Sequence, residues 1–302
     1  MSSSDPTPGP PTGCGPIRHG EPRFPKDAFA GTAAYYARYR VPYPNVLLAD
    51  LLDRARVAGK GRLLDLACGP GRIALAFASS FREIWAVDLE AEMIEEGRRE
   101  AARRGLANLR WEVAMAEAIE APAASFELLA IGEAFHRLDQ PRVAAQALRW
   151  LRPGGALATL GCHGILSGRE PWQKLVVQTV HKWTGRPAGA AGPSEPGTPE
   201  NGPEDAEKVM REAGFVAVGS HPFVQPQEWT TEAILGYLYS TSVCSRRVLG
   251  KRAEPFEAEL RAALLAHDPR GSSARTCVGV TRSGGKQNRM APGFIFTNLT
   301  CR

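Results

Sequence analysis

Short apolar runs alternate with longer amphipathic stretches between residues 62 and 160, and this rhythm predicts most of the fold. Leu63–Ala67, Ile84–Val87, Leu109–Ala114, Phe126–Ile131 and Ala156–Leu160 read as strands. Helical periodicity predicts helices over Arg72–Ser80, Ala91–Arg104 and Pro141–Leu151 between them. Near-continuous apolar strands separated by helices imply an α/β protein whose parallel sheet is covered on both faces. Ahead of the first strand, aromatics at near-helical spacing in Phe29–Arg40 and the amphipathic Val46–Val57 predict two helices. After the fifth strand, a Gly/Pro-rich loop spans Gly185–Pro203, and a helix at Glu204–Ala213 and a strand at Phe215–Ser220 resume the alternation. Glu228–Ala266 reads as helical, and the polar residues from Arg282 onward read as an irregular tail.

Composition narrows the class. The chain has 302 residues with 43% hydrophobic content, enough for a large core. It has no apolar run of spanning length. The opening MSSSDPTPGPPTGCGP lacks the basic and apolar regions of a secretory signal and reads as a disordered leader. Six scattered cysteines show no CxxC pair, which argues against structural zinc and fits a reducing, cytoplasmic setting. The net charge of +5 is mild. The basic clusters Arg98–Arg104 and Arg246–Arg252 lack an accompanying aromatic stripe and read as solvated helix faces rather than a nucleic-acid surface.

The stretch RLLDLACGPGR, from Arg62 to Arg72, concentrates the chemistry. A strand that breaks into a glycine turn and then a helix places backbone N–H groups where a nucleotide-type ligand can approach. Gly69-x-Gly71-x-x-Ala74 also satisfies a relaxed dinucleotide fingerprint, which keeps a non-catalytic NAD-type Rossmann protein as an alternative. Three features favour S-adenosylmethionine. Asp65 lies inside the strand, where a methionine ammonium or an adjacent water needs a carboxylate. Asp88 closes the next strand, where it can accept from both ribose hydroxyls. LRPGG precedes the strand ALATL, far from any cofactor phosphate.

The ordered set DLACGPGR, AVDLEAEMI, VAMAEAIEAP, FELLAIGEAFHRLD and LRPGGALATL, with the leader FAGTAAYYARYRVPYP, resembles the class I S-adenosylmethionine-dependent methyltransferases. The likeness is to their small-molecule branch, that of the trans-aconitate methyltransferases, and it covers roughly Phe29 to Ser220. It implies a Rossmann-like, doubly wound, mostly parallel seven-stranded sheet with a helical cap. The implied organisation is a leader at 1–22, an N-terminal helical lid at 23–60 and a cofactor-binding core at 61–225 with a lid insertion at about 162–203. A helical cap and last strand follow at 226–281, then a tail at 282–302. By position, Asp65, Ala67, Gly69 and Gly71 line the methionine and ribose part of the cofactor. Asp88 holds the ribose, Leu89 and Met93 pack on adenine, and Ala116 and Glu117 flank its edge. Gly132 and Glu133 face the sulfonium, while Tyr36 and Arg40 close the site. Ala67 stands where the family often has a third glycine, and Met115 where a polar residue is common.

Methyl transfer from a sulfonium has a neutral leaving group, so alignment supplies most of the rate and a base matters only for a protonated acceptor. His136, Glu133 and His163 are the candidates for such a base, each with ordinary packing as its competing reading. No Asn/Asp-Pro-Pro-aromatic box, Pro-Cys pair or magnesium-spaced acids are present. The expected acceptor is therefore a small organic molecule, with no nucleic-acid, membrane or metal partner. Trp172, Trp183, Trp229, Tyr237 and Tyr239 are candidates for an aromatic acceptor pocket, or else for the core of the cap. An RNA methyltransferase stands as the further alternative.

Overall fold

The computed structural model describes residues 25–167, 170–185, 203–224, 227–268, 275–276 and 293–300. The expected leader at 1–22 and most of the Gly/Pro-rich loop lie outside them. In chain order come helices α1 (Ala33–Tyr39) and α2 (Asn45–Arg54), strand β1 (Arg62–Leu66), α3 (Arg72–Ala76), β2 (Glu83–Asp88), α4 (Ala91–Arg103), β3 (Leu109–Val113) and β4 (Phe126–Gly132). Then follow α5 (Gln140–Trp150), β5 (Leu151–His163), α6 (Pro171–Thr184), α7 (Pro203–Ala213), β6 (Ala217–Val224), β7 (Gln227–Glu228), α8 (Thr231–Tyr239), α9 (Arg246–Leu249), α10 (Ala253–His267), β8 (Arg275–Thr276) and β9 (Gly293–Thr300).

Five parallel strands carry the site, ordered β3-β2-β1-β4-β5, at one side of the order β3-β2-β1-β4-β5-β9-β6. The order reverses at β1, and in such sheets the crevice beyond the carboxyl ends at that point receives ligands. Beyond β5 the segments β9 and then β6 are registered in the same direction, and nothing in the site rests on them. Residues 293–300 thus form a strand where the sequence reading places an irregular tail, because their apolar GFIF opening suits a sheet position. β7 and β8 make a separate two-residue antiparallel pair.

Side chains alternate across the central strands, and each set has its own helical cover. Leu63, Ile84, Ala86, Leu128, Ala130, Ala158 and Leu160 pack with Leu47 and Leu51 of α2 and with Trp172, Leu238 and Phe256 of the cap. Leu64, Leu66, Val87, Leu129, Ile131 and Leu157 pack with Val143, Ala147 and Trp150 of α5 and Met210 of α7. Asp139 caps α5 by accepting from the Arg142 N–H at 3.3 Å, with a proline in the first turn. Two local expectations change. The Phe29–Arg40 helix begins only at Ala33, because 25–32 runs as turns. RPGG does not separate helix from strand but bulges within β5, where pairing jumps from Phe126–Leu151 to Leu128–Ala156.

One contact ties α4 and β3 to the glycine turn. The Trp111 indole lies so close to Gly71 and Gly97 that a Cβ would sit 2.4 Å from its ring at either position. Gly97 is also 3.0 Å, by the same construction, from the Pro70 carbonyl. Gly97→Ala is therefore expected to cost about 1–3 kcal/mol by overpacking, read from urea unfolding; an unchanged midpoint would refute the contact.

Candidate functional site

The chain leaves β1 through Ala67 (φ +51°), Cys68, Gly69 (φ +56°) and Gly71 (φ +75°). Three left-handed residues in this short span turn the backbone sharply into α3, and two of them are glycines for which this costs nothing. The Cys68 N–H donates to the Val87 carbonyl and the Gly71 N–H to the Cys68 carbonyl, both at 3.0 Å. Ala67, where the family often has glycine, holds a conformation that disfavours any side chain.

Asp65 and Asp88 brace this turn from two strands. Asp65 is fully buried, and its Oδ2 accepts the Ala74 N–H at 2.9 Å, which ties β1 to α3. Its Oδ1 has no hydrogen-bond partner among the described residues. Burial pushes its carboxyl up to about 8, against the pull of the Ala74 bond, and the nearby Asp88 adds to the rise. Asp88 ends β2, with Oδ2 accepting the Gly69 N–H at 2.7 Å and Oδ1 the Glu90 N–H at 2.9 Å. Burial raises its carboxyl as well, outweighing those backbone bonds.

A cleft opens over the carboxyl ends of β1, β2, β3 and β4. Ala67 and Gly69 line it from β1, Asp88, Leu89, Glu90 and Met93 from β2 and α4, and Ala114 to Glu117 follow β3. Gly132, Glu133, Ala134, Arg137 and Leu138 come from the β4 end, and Pro25, Lys26, Ala28, Phe29 and Tyr36 from the N-terminal segment. The aliphatic side chains of Leu89, Met93, Ala116 and Leu138 form an apolar wall beside the Asp88 carboxylate. The Tyr36 ring covers the turn; a Cβ on Gly69 would touch it at 3.6 Å. Burial, then the Glu133 charge, raises the Tyr36 phenol. The strap over the cleft is held by its backbone, with the Phe29 N–H donating to Glu90 at 3.1 Å and the Gly31 N–H to Glu92 at 2.6 Å.

Charged groups gather at the β4 end. Glu133, itself left-handed at φ +56°, accepts from Arg40 at 3.1 Å and faces Arg72 at 3.8 Å. Arg40 also donates to the Ser240 hydroxyl at 2.9 Å and lies between the rings of Tyr36 and Tyr237 at 4.6 and 4.8 Å. Arg72 stacks on Tyr43 at 4.7 Å and donates to the Val41 carbonyl. Arg137 covers the Phe29 ring at 4.6 Å and donates to the Ser242 hydroxyl at 3.1 Å. Its burial pulls the guanidinium down to about 10, so it stays cationic at neutral pH.

Most residues singled out in the sequence meet in this cleft: Tyr36, Ala67, Gly69, Asp88, Leu89, Met93, Ala116, Glu117, Gly132 and Glu133 all line it. Asp65, Gly71, Arg40 and His136 do not. Asp65 is inside the wall, Gly71 lies under Trp111, and Arg40 points its charge at Glu133 and the cap. The His163 side chain lies outside the described residues. Of the two readings of the later aromatics, the core holds: Trp172, Trp229, Tyr237 and Tyr239 are buried, with Trp183 packed against them. Lys26, Phe29, Glu90 and Arg137 line the cleft without having been singled out. Only Arg137 carried a signal, as a cation in the same FHRLD run that drew attention to His136.

Comparisons with known proteins point one way. Residues 63–155 match the family model for a methyltransferase domain. The chain is 36% identical over 128 residues to a malonyl-[acyl-carrier protein] O-methyltransferase of Enterobacter lignolyticus, covering 41% of this chain and 49% of that protein. It is 32% identical over 144 residues to a trans-aconitate 2-methyltransferase of Azoarcus, covering 47% and 53%. The chain thus spans about half the length of these two relatives. An uncharacterized methyltransferase of Schizosaccharomyces pombe is 26% identical over 233 residues, covering 77% and 85%. In fold, the chain is similar to a putative type II methyltransferase from Anaeromyxobacter dehalogenans, with a TM-score of 0.52 at 24% identity over 80% of this chain and 95% of that one.

Two stability measurements follow from the turn. Because the folded Asp65 carboxyl sits near 8 while an unfolded aspartate titrates near 4, the native state binds more protons between those values. Stability of the ligand-free protein is therefore expected to fall as pH rises from 4 to 8, and Asp65→Asn should flatten that slope. An identical slope in the variant would remove Asp65 as its source. Ala67→Gly is expected to add up to about 1 kcal/mol, the left-handed relief less the extra chain entropy of glycine; a clear loss in thermal unfolding would contradict the strained assignment.

Proposed function

Since the chain carries a class I S-adenosylmethionine-dependent methyltransferase domain, we propose that it moves the methyl group of S-adenosylmethionine onto a small organic acceptor. The observation that carries this reading is Asp88, at the tip of β2, beside the apolar wall of Leu89, Met93, Ala116 and Leu138. A carboxylate fixed by two backbone N–H groups retains lone pairs for a ribose diol, and the aliphatic wall suits a flat purine. The left-handed turn at Ala67–Gly69 lets backbone approach the remainder of the ligand without intervening side chains. When bound, S-adenosylmethionine supplies an electrophilic methyl group on a sulfonium.

This chain's residues then divide their roles. Asp88 holds the ribose, Leu89 and Met93 grip the base, and Ala116 and Glu117 meet its edge. The Glu117 carboxylate is itself oriented by the Asp139 N–H at 2.9 Å. Gly132 keeps the β4 end open to the reacting centre; a Cβ there would strike the Tyr43 hydroxyl at 2.5 Å. Tyr36 and the strap 25–29 cover the cleft and exclude water. Glu133 serves to anchor Arg40 and Arg72 and so joins the lid to the core. Asp65 shapes the turn from within and contacts the cofactor through it or through a bound water. The acceptors in the names of the two relatives, a malonyl-[acyl-carrier protein] and trans-aconitate, support an organic acid or acyl compound.

Calorimetry tests the donor. S-adenosylhomocysteine is expected to bind and NADH not to bind. Asp88→Ala is expected to weaken binding by about 1–3 kcal/mol, with Asp88→Asn intermediate because it keeps one oxygen acceptor. Undiminished affinity in both variants would overturn the ribose assignment. Tight binding of RNA that weakens steeply with salt would overturn the acceptor class.

A further inference from the structure

Residues 25–28 form one side of the cleft, and their hold on the rest of the molecule is narrow. Pro25, Lys26 and Ala28 line the cavity together with Phe29, yet none of them is buried. Phe29 itself is pinned from several directions. Its N–H donates to Glu90, and its carbonyl accepts the Thr32 N–H at 3.0 Å and the Thr32 hydroxyl at 2.7 Å. Its ring lies under the Arg137 guanidinium. Ahead of Phe29 the turn bonds are local, from the Ala28 N–H to the Pro25 carbonyl and from the Ala30 N–H to the Asp27 carbonyl. Among the described residues, one side chain from outside the strap forms a hydrogen bond or ion pair with 25–28. It is Arg247, which pairs with the Asp27 carboxylate at 2.7 Å and donates to the Asp27 carbonyl at 3.0 Å.

This link is weak by nature and well placed. Both side chains are more than half exposed, so water and salt screen the pair. Arg247 is nevertheless firmly carried. Ser245 caps α9 by accepting the Val248 N–H at 3.3 Å, and Leu249 at the end of the helix is buried in the core. The pair therefore joins one wall of the cleft to the cap. Neither Asp27 nor Arg247 lines the cleft, so the pair touches nothing that binds there.

We propose that residues 25–28 are a flap that swings from its pinned end at Phe29 to admit and release S-adenosylmethionine and its demethylated product, and that the Asp27–Arg247 ion pair is its latch. The inference rests on the cleft being the S-adenosylmethionine site. Opening gives up one screened ion pair and the contacts of three unburied side chains, while the main-chain bonds at Phe29 and Gly31 stay in place. Because the latch lies away from the ligand, it stabilises the closed flap to the same extent with the cleft filled or empty. Such a contact slows entry and exit by the same factor and leaves the binding equilibrium where it was.

The test measures exchange of S-adenosylhomocysteine on the full chain, with association followed by stopped flow and dissociation by chasing labelled ligand with unlabelled. R247Q and D27N are each expected to speed both rates about two- to fivefold, the range for an exposed ion pair, with Kd unchanged. The charge-swapped double variant D27R/R247D is expected to restore the slow rates, which a mere loss of either side chain would not do. Raising sodium chloride from about 0.05 M to about 0.5 M is expected to speed release from the native protein and to leave release from R247Q as it was. Melting temperatures of the variants are expected to match the native protein, since both side chains are exposed. Unchanged rates in both single variants would overturn the proposal. So would a salt response of equal size in native protein and R247Q. A rise in Kd through faster release alone would overturn it too, by making the pair a brace of the bound state. Failure of the native protein to bind S-adenosylhomocysteine at all would instead remove the cofactor reading beneath it.

Discussion

Glu133 holds three parts of the chain together. Its carboxylate meets Arg40 from the end of the lid helix and Arg72 from the first turn after the glycines, while its own backbone extends β4. Through Arg40 the same cluster reaches Ser240 at the end of α8, so α1, β4 and α8 are linked through one ion pair. A largely buried ion pair of this kind adds little net stability, because desolvation offsets most of the attraction. What it contributes is position: removing either partner would strand a charge, so alternative placements of the lid are disfavoured. Glu133 holds this place in a left-handed conformation, a strain that the surrounding contacts must outweigh.

The part of the fold that frames the site was legible from the chain because its signals are local. Leu63–Ala67, Ile84–Val87 and Phe126–Ile131 are short apolar runs bounded by turn residues, and their alternation with amphipathic helices points to a sheet buried on both faces. The place of Asp88 at the cleft was legible for the same reason, since it ends a strand one βα unit beyond the glycine turn. The course of the sheet beyond β5 was not legible. Strands at the β5 side come from segments separated by long stretches of helix and loop, and such pairing leaves no local periodic mark.

The candidate site shows a similar division. Residues whose position is set by their own strand end, such as Ala67, Gly69, Asp88 and Gly132, line the cleft. Residues whose side chains travel were harder. Arg40 lies on the expected helix but turns to Glu133 and Ser240, and Asp65 turns inward to Ala74. Gly71 does not line the cleft, because Trp111, far along the chain, occupies the space beside it. The tryptophans of the cap illustrate the converse. Aromatic residues gathered near a site attract a binding role, but Trp172 and Trp229 satisfy the larger demand of filling a helical layer.

The strap across the cleft carries a consequence of a different kind. Phe29 and Gly31 are gripped through their main-chain N–H groups, by Glu90 and Glu92 at the start of α4. Every residue but proline has an N–H group to offer there, so the grip does not depend on which side chains the strap displays. Relatives could exchange the residues of this segment, and with them the texture of one side of the cleft, while its path over the cleft stayed the same. The anchor is written in α4, leaving the strap open to evolutionary drift.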